Sequence, residues 1–486
     1  MLFSSWRRNL KRPVPAALRR PPTIHSQRPT LEALGDRTLP SNFTASGVSD
    51  LINDINAANT AGGTNTITLI AGVDFDLTMV NNTTNGADGL PVISGASAGK
   101  KSTIPADDLI VIGNGDIIRR DASAPAFRLF DVAQGASLTL EDVNLQNGRA
   151  FGSGAAADGG AIYNQGNLTL DNTIVTSNTA LGSNGSAAVY RNKTHVIPAQ
   201  PAGDAAGGGI WSSGTLIVEN GSSILSNQAE GGRGGSAAGQ LNANGGAGGG
   251  GFGGGIYMSG GSLKVIDATL AGNVAVGGWG GGVGYGSGTS GDGGDAAGGA
   301  LDVAGGTLDM SNAKVTSNAA WGGSGGAFSG FGDHGGTGGT ASGGGIYVGG
   351  GTVSLQTLTL SGNYAAGGDG GFERQTEGIT VGYWTAVHGF GGSALGGGLC
   401  VAGGSVTVTG SSVTGNRAFA GVSGELGIPT GSVGIAAGGG IDIISPAAVF
   451  LDSSTVINTT GNYDEIWNGL NYTDSEDNVN GPYTPI

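Results

Sequence analysis

The residues of this chain that could do chemistry are few and widely spaced. Its four histidines, His25, His195, His334 and His388, lie too far apart in sequence to form a motif. Hydrolysis of a polysaccharide needs two or three carboxylates facing one groove, and elimination needs a Lys or Arg base beside acidic residues that hold calcium or substrate. Here the basic residues are scattered, with Lys264, Lys314, Arg374 and Arg417 each alone in its stretch. The turns Gly291-Asp-Gly-Gly-Asp295, Gly113-Asn-Gly-Asp116 and Gly203-Asp204 suggest calcium. None extends into the repeated series that calcium-binding solenoids use, and a lone Asp-Gly turn is satisfied by backbone. The sequence therefore assigns no catalytic residue, cofactor or metal ligand, and calcium is the one cofactor it leaves open. The aromatics say more. Trp279, Trp321, Phe331, Tyr383 and Trp384 form the candidate binding face; with Tyr285, Phe328, Phe372 and Phe390 they lie in glycine-rich stretches. Rings there either meet sugars or a partner protein, or pin the glycine-rich chain to the surface beneath it. A second set, Tyr163, Trp211, Tyr257 and Tyr347, occupies one repeat position that Asp302, Cys400 and Asp442 fill elsewhere, which predicts a partial ladder of rings.

Those positions are set by a repeat. Seven units begin at Gly160-Ala-Ile-Tyr, Gly209-Ile-Trp, Gly254-Gly-Ile-Tyr, Gly299-Ala-Leu-Asp, Gly344-Gly-Ile-Tyr, Gly397-Gly-Leu-Cys and Gly439-Gly-Ile-Asp. Each reads as three short strands with period-two alternation, as in Gly160 to Ala180, followed by a variable insert. One unit cannot bury its apolar side alone, whereas units stacked ~4.8 Å apart share a core and pair their backbones. The expected fold is all-β: a right-handed parallel β-helix solenoid with a short N-terminal capping helix and Gly-rich loop inserts. Columns such as Leu168, Leu216, Leu263, Leu308, Val353 and Val406 should point inward. The Asn that ends the third strand, at Asn147, Asn178, Asn227, Asn273, Asn318, Asn363, Asn416 and Asn458, should form a structural ladder from coil to coil. All inserts follow the same strand of the unit, so all should leave from one edge. Val48, Leu51, Ile52 and Ile55 have helical spacing with Ser49 as N-cap, a helix placed to cover the open end of the stack. The chain thus divides into a basic targeting segment (1–41), a cap with first strands (42–108), the β-helix (109–465) and an acidic tail (466–486), disordered beyond about Asn471.

Composition agrees. Glycine supplies 102 of 486 residues, only nine of them within residues 1–110. Glycine weakens helix and strand interiors, so an ordinary helical or α/β domain is excluded; 15 prolines without a Gly-x-y triplet exclude collagen. The net charge of -15 offers no basic field for nucleic acid. Residues 1–40 run against that trend, with eight Lys/Arg against Glu32 and Asp36. No run of 18 apolar residues could span a membrane as a helix. The single Cys400 excludes a disulfide framework. Oligomeric state is left open.

Two segments carry a resemblance. Arg28 to Ser41, with Leu31-Glu-Ala-Leu34 and Arg37-Thr-Leu39, resembles the N-terminal motif of planctomycete extracellular proteins, with Gly35 and Pro40 as departures; the resemblance implies export. Gly159-Gly-Ala-Ile-Tyr-Asn164, Leu168-Thr-Leu-Asp171 and Ser177-Asn178 resemble the repeats of chlamydial polymorphic outer membrane proteins, and Ile110-Val-Ile-Gly-Asn-Gly-Asp116 through Phe127-Arg-Leu-Phe-Asp-Val132 is similar to the first coils of pectin-lyase-like β-helices. Nothing after Val456 has the pattern of a membrane barrel, so the sequence predicts no autotransporter. The expected role is a secreted or surface-displayed structural and adhesive module that meets surface glycans or cell-envelope proteins through its insert face. The alternative is a polysaccharide-active enzyme, lyase or glycoside hydrolase, of the same fold; three clustered carboxylates, or a Lys/Arg beside them, would favour it.

Overall fold

In the coil from Ala205 to Glu230, alternation sends Leu216 and Val218 into the core and leaves Thr215 and Ile217 partly exposed. The next coil repeats this with Leu263 and Val265, in register with the first. Stacking such coils gives a parallel β-helix. The computed structural model describes residues 41–95, 106–152, 157–192, 195–237, 243–284, 288–329, 334–372, 388–424, 433–467 and 472–486. The targeting segment up to residue 40, and Tyr285, Phe331, Tyr383 and Trp384, lie outside them.

Each full coil contributes to five parallel sheets rather than the three strands expected. In one coil the strands are Ala205–Ala206, Ile210–Ser212, Thr215–Glu219, Ser223–Leu225 and Gln228–Glu230. Among the described residues the longest sheet has twelve strands and runs from β1 (Ser41–Ala45) and β2 (Gly63–Leu69) to Thr484–Pro485. The two strands that sequence pattern missed, represented by Ala205–Ala206 and Gln228–Glu230, are too short to show alternation.

Each first strand needs a sharp entry, which Gly253 provides with φ +60°. One large core of Leu, Ile and Val fills the stack, and α1 (Val48–Ala61) covers its N-terminal end by burying Leu51, Ile55 and Ala58 in it. The N-cap is Gly47, not Ser49. Ser46 donates to the Asp50 carboxylate at the helix start. At the other end the tail is ordered, against expectation. Tyr472–Glu476 pairs back on Tyr463–Trp467, and Val479–Asn480 and Thr484–Pro485 add to two of the parallel sheets. Polar composition suggested disorder, but backbone pairing on a pre-formed sheet edge does not depend on side chains.

The asparagine ladder runs Asn178, Asn227, Asn273, Asn318, Asn363, Asn416, Asn462 and Asn478. In each step before the last, the backbone N–H and the Nδ2 of one Asn both donate to the Oδ1 of the next at 2.9–3.1 Å. Asn462 closes on Asn478 in the same manner at 3.2 and 2.9 Å. Two assignments from sequence are corrected. Asn147 sits one residue early, in the left-handed position (φ 59°) that Ser177 and Ser226 hold in later coils; Gly148 takes the ladder place and donates to Asn178 Oδ1 at 2.8 Å. Asn458 is instead the C-cap of α2 (Ser453–Ile457), a turn of helix that moves the rung of that coil to Asn462.

The inserts are not loose loops. Backbone donors recur every third residue: Gly231, Gly234 and Ala237 donate to Val276, Trp279 and Gly282 of the next coil, each at 2.9 Å. Gly232 and Gly235 donate to Gly203 and Gln200 on the returning limb of the previous insert, at 2.9 and 3.0 Å. Three residues per turn without internal hydrogen bonds is polyproline II geometry. Outgoing and returning limbs therefore form two facing layers of extended helices that continue the stacking of the coils. Limbs pack so closely that a β-carbon on Gly231 would overlap the carbonyl oxygen of Gly249 in the facing layer, and one on Gly278 that of Gly232 in the same layer. Alanines such as Ala275, Ala320, Ala365 and Ala418 form a second core where the limbs leave the coils.

Candidate binding face

Of each three residues on an outgoing limb, two point their amides at neighbouring chain and the third faces solvent. Two outward rows result. The first reads Phe151, Leu181, Glu230, Val276, Trp321, Ala366 and Phe419, in strand register. The second lies three residues further out and reads Asn184, Arg233, Trp279, Ser324, Asp369 and Val422, linked by the amides that donate to the last five of these carbonyls. Trp279 is 55% exposed, Trp321 47% and Phe372, one turn beyond the second row, 54%. The outgoing face thus carries a set of rings held out from a rigid backbone. Arg233 lies over Trp279 with its guanidinium 4.4 Å from the ring centroid. Between Trp279 and Phe372 a cavity of about 480 Å³ is floored by Gly280–Gly282 and Gly325–Gly326 and edged by Arg233 and Ser324. The glycine floor gives flat access to the ring faces.

Of the residues proposed from sequence as the binding face, Trp279 and Trp321 occupy neighbouring rows of this surface. Phe328, grouped with them as an insert aromatic, is instead buried in a small core with Ala237 and Val283, and His388 packs edge-on against it at 5.6 Å. The Asp-Gly turns that suggest calcium bond to backbone. Where an Asp or Asn of the preceding coil stands beside the outward amide of a limb turn, its side chain accepts that amide: Asp204 from Gly250, Asp292 from Thr337, and Asp295 from Thr340, each at 2.7 Å. Asn184 and Asp369 serve Arg233 and Val422 in the same way at 2.8 and 3.1 Å. Asp116 accepts the amide of Gly72 at 2.6 Å. Among the described residues no three His, Cys, Asp or Glu side chains group as a metal site.

A cluster at the first coils escaped sequence reading because its members are far apart in the chain. Arg128, almost fully buried, donates through Nε to Asp88 at 2.8 Å and through its terminal nitrogens to the carbonyls of Asn85 and Asp158, at 2.6 and 3.1 Å. It also lies 4.9 Å from the Tyr163 ring centroid. Burial pushes the carboxyls of Asp88, Asp131 and Asp158 upward, and the Arg128 charge opposes this in all three. Arg128, Arg149, Phe151 and Asp158 line a cleft of about 460 Å³ beside the cluster. Tyr163 and Trp211 stack at 4.4 Å with 10° between planes, the beginning of the predicted ring ladder, whereas Tyr257 tilts toward Phe252.

No protein-family model, characterised protein or solved structure matches this chain.

Proposed function

We propose that this protein is a secreted or surface-displayed structural and adhesive solenoid that binds surface glycans or cell-envelope proteins through the outward rows of its insert limbs. The observation that carries this reading is the exposure of Trp279, Trp321 and Phe372 on one rigid glycine-floored face. Exposed rings on a pre-ordered backbone add contact area without the entropy loss of ordering a loop. The resemblance of Arg28–Ser41 to planctomycete export segments, and of the Gly159–Asn178 repeat to polymorphic outer membrane protein repeats, supports the extracellular setting. The test is a panel of acidic and neutral polysaccharides and isolated cell envelope, scored for retention and for new reducing ends or unsaturated products. Retention without cleavage, lost by tenfold or more in a Trp279→Ala/Trp321→Ala double variant of unchanged fold, is expected. Equal retention by the double variant would sink the assignment to this face.

A second reading, a polysaccharide-active enzyme, is favoured by one observation: Asp158, Arg128 and Arg149 line one cleft, with the buried carboxyls of Asp88 and Asp131 behind it. The bonds of Arg128 to Asp88, Asn85 and Asp158 are those of a brace between coils, which is why adhesion stands first. Product release from the same panel, abolished by Asp158→Asn, would reverse the order.

A further inference from the structure

The middle residues of the three-residue strands form a column of one residue per coil: Tyr163, Trp211, Tyr257, Asp302, Tyr347, Cys400. The run of rings is interrupted once before it ends, at Asp302. Coil steps of ~4.8 Å put the Tyr257 and Tyr347 positions roughly 9.6 Å apart, which leaves one ring's thickness of space between them. A cavity of about 350 Å³ opens there. Its walls include Tyr257, Tyr347 and Phe252, with Asp295 and Thr340 at the side of the returning limb. Asp302 also lines it, is only 3% exposed, and its Oδ1 has no hydrogen-bond partner among the described residues. A buried carboxyl oxygen without a partner is costly unless something completes it.

The surroundings decide what that something is. Among the described residues, no Lys, Arg or His lines the cavity. The ionisable groups that face Asp302 are Tyr257 and Tyr347 on either side, Cys400 one coil further, and Asp295 across the cavity, so the local charge has one sign. Asp295 already accepts the Thr340 amide. A metal ion would need several free oxygens, and the described residues supply no such group. A cation with an apolar body suits both the carboxyl and the ring faces.

We propose that this cavity binds an organic ammonium or guanidinium cation, with its charge on Asp302 and its stem between Tyr257 and Tyr347. In the empty cavity burial pushes the Asp302 carboxyl up to about 8, so it is protonated at neutral pH, and burial holds the Tyr347 phenol up at about 12, so it stays neutral. A bound cation favours the carboxylate and expels the proton. Affinity therefore rises as pH rises toward 8 and levels off above it, by linkage.

Calorimetric titration of the full chain with n-butylammonium, and with n-butanol as neutral isostere, tests this in two buffers of different ionisation enthalpy. The expected results are binding of the ammonium alone, an affinity that rises several-fold between pH 6 and 7, and release of roughly half to one proton per ligand at pH 7. Asp302→Asn should weaken binding at pH 8 by tenfold or more and flatten the pH profile. Tyr347→Ala should weaken binding but keep the profile. Equal binding of butanol, no proton release from the wild-type chain, or unchanged binding by a folded Asp302→Asn variant would overturn the proposal. The proton-release measurement needs no variant and decides the matter even where Asp302→Asn does not fold.

Discussion

Removal of one rung from the middle of the asparagine ladder tests whether the rungs hold the stack together. Asn318 Oδ1 accepts from the backbone N–H and Nδ2 of Asn273, at 2.9 and 3.0 Å, and its Nδ2 donates to Asn363 Oδ1 and to the Leu270 carbonyl, each at 3.0 Å. Asn318→Ala deletes all four bonds. It strands the Asn273 amide and one Nδ2 hydrogen inside the stack, where both residues are essentially buried. Each orphaned buried donor costs about 1–3 kcal/mol, so the local penalty is about 2–6 kcal/mol. A solenoid need not unfold as one unit, so a single global midpoint is the wrong readout. Hydrogen exchange of the peptides that contain Asn273 and Asn318 reports the local opening free energy, and a penalty in that range lowers protection by at least on the order of tenfold, and by about 1000-fold at 4 kcal/mol. The matched control is Asn458→Ala. Asn458 is exposed at the end of α2 and belongs to no rung, so its loss should change protection by less than about threefold. Equal effects at the two sites, or none at Asn318, would refute the ladder as a source of stability.

Three further outcomes follow from the same geometry. Gly278→Ala should disrupt the paired limbs and speed proteolysis there, because its β-carbon meets the Gly232 carbonyl; Gly305→Ala, whose β-carbon has 3.7 Å to its nearest neighbour, should behave as wild type. Burial raises the carboxyls of Asp302, to about 8, and Asp107, to about 6. A carboxyl raised in the folded state binds its proton more tightly than the unfolded chain does, so its contribution to stability is complete near pH 4 and is lost as pH rises through the folded value. Thermal stability should accordingly fall between pH 5 and 8, and a steady rise across that window would contradict these assignments. Cys400 is fully buried and its thiol is pushed upward by burial, so iodoacetamide should label it only after denaturation, as mass spectrometry of native and unfolded protein would show.

Much of the fold is written locally. Leu168-Thr-Leu170 or Leu216-Ile-Val218 states in three residues which side chain faces the core, because a strand has a period of two. The same columns seven times over announce a stack, because one coil buries nothing. The capping helix shows in the spacing of Leu51 and Ile55. Trp279 and Trp321 could be nominated as surface rings from their glycine-rich setting, for glycine offers no neighbouring side chain to cover them.

Other features depend on distances between coils that no local pattern contains. A shift of one residue at Asn147, and a turn of helix before Asn462, move an asparagine on or off the ladder without changing how the sequence reads. Phe328 and Phe372 have similar glycine-rich flanks, yet the three-residue turn of the limb buries one and exposes the other. The acidic tail gains order from a sheet edge already in place. The gathering of Asp88, Arg128 and Asp158, and the single missing ring at Asp302, arise because stacking brings residues 30 to 50 positions apart to one coil step of ~4.8 Å. Alternation and repetition are properties of neighbours along the chain, and so the sequence was sufficient for the scaffold. The sites are properties of neighbours across it, set only once the coils had closed upon one another.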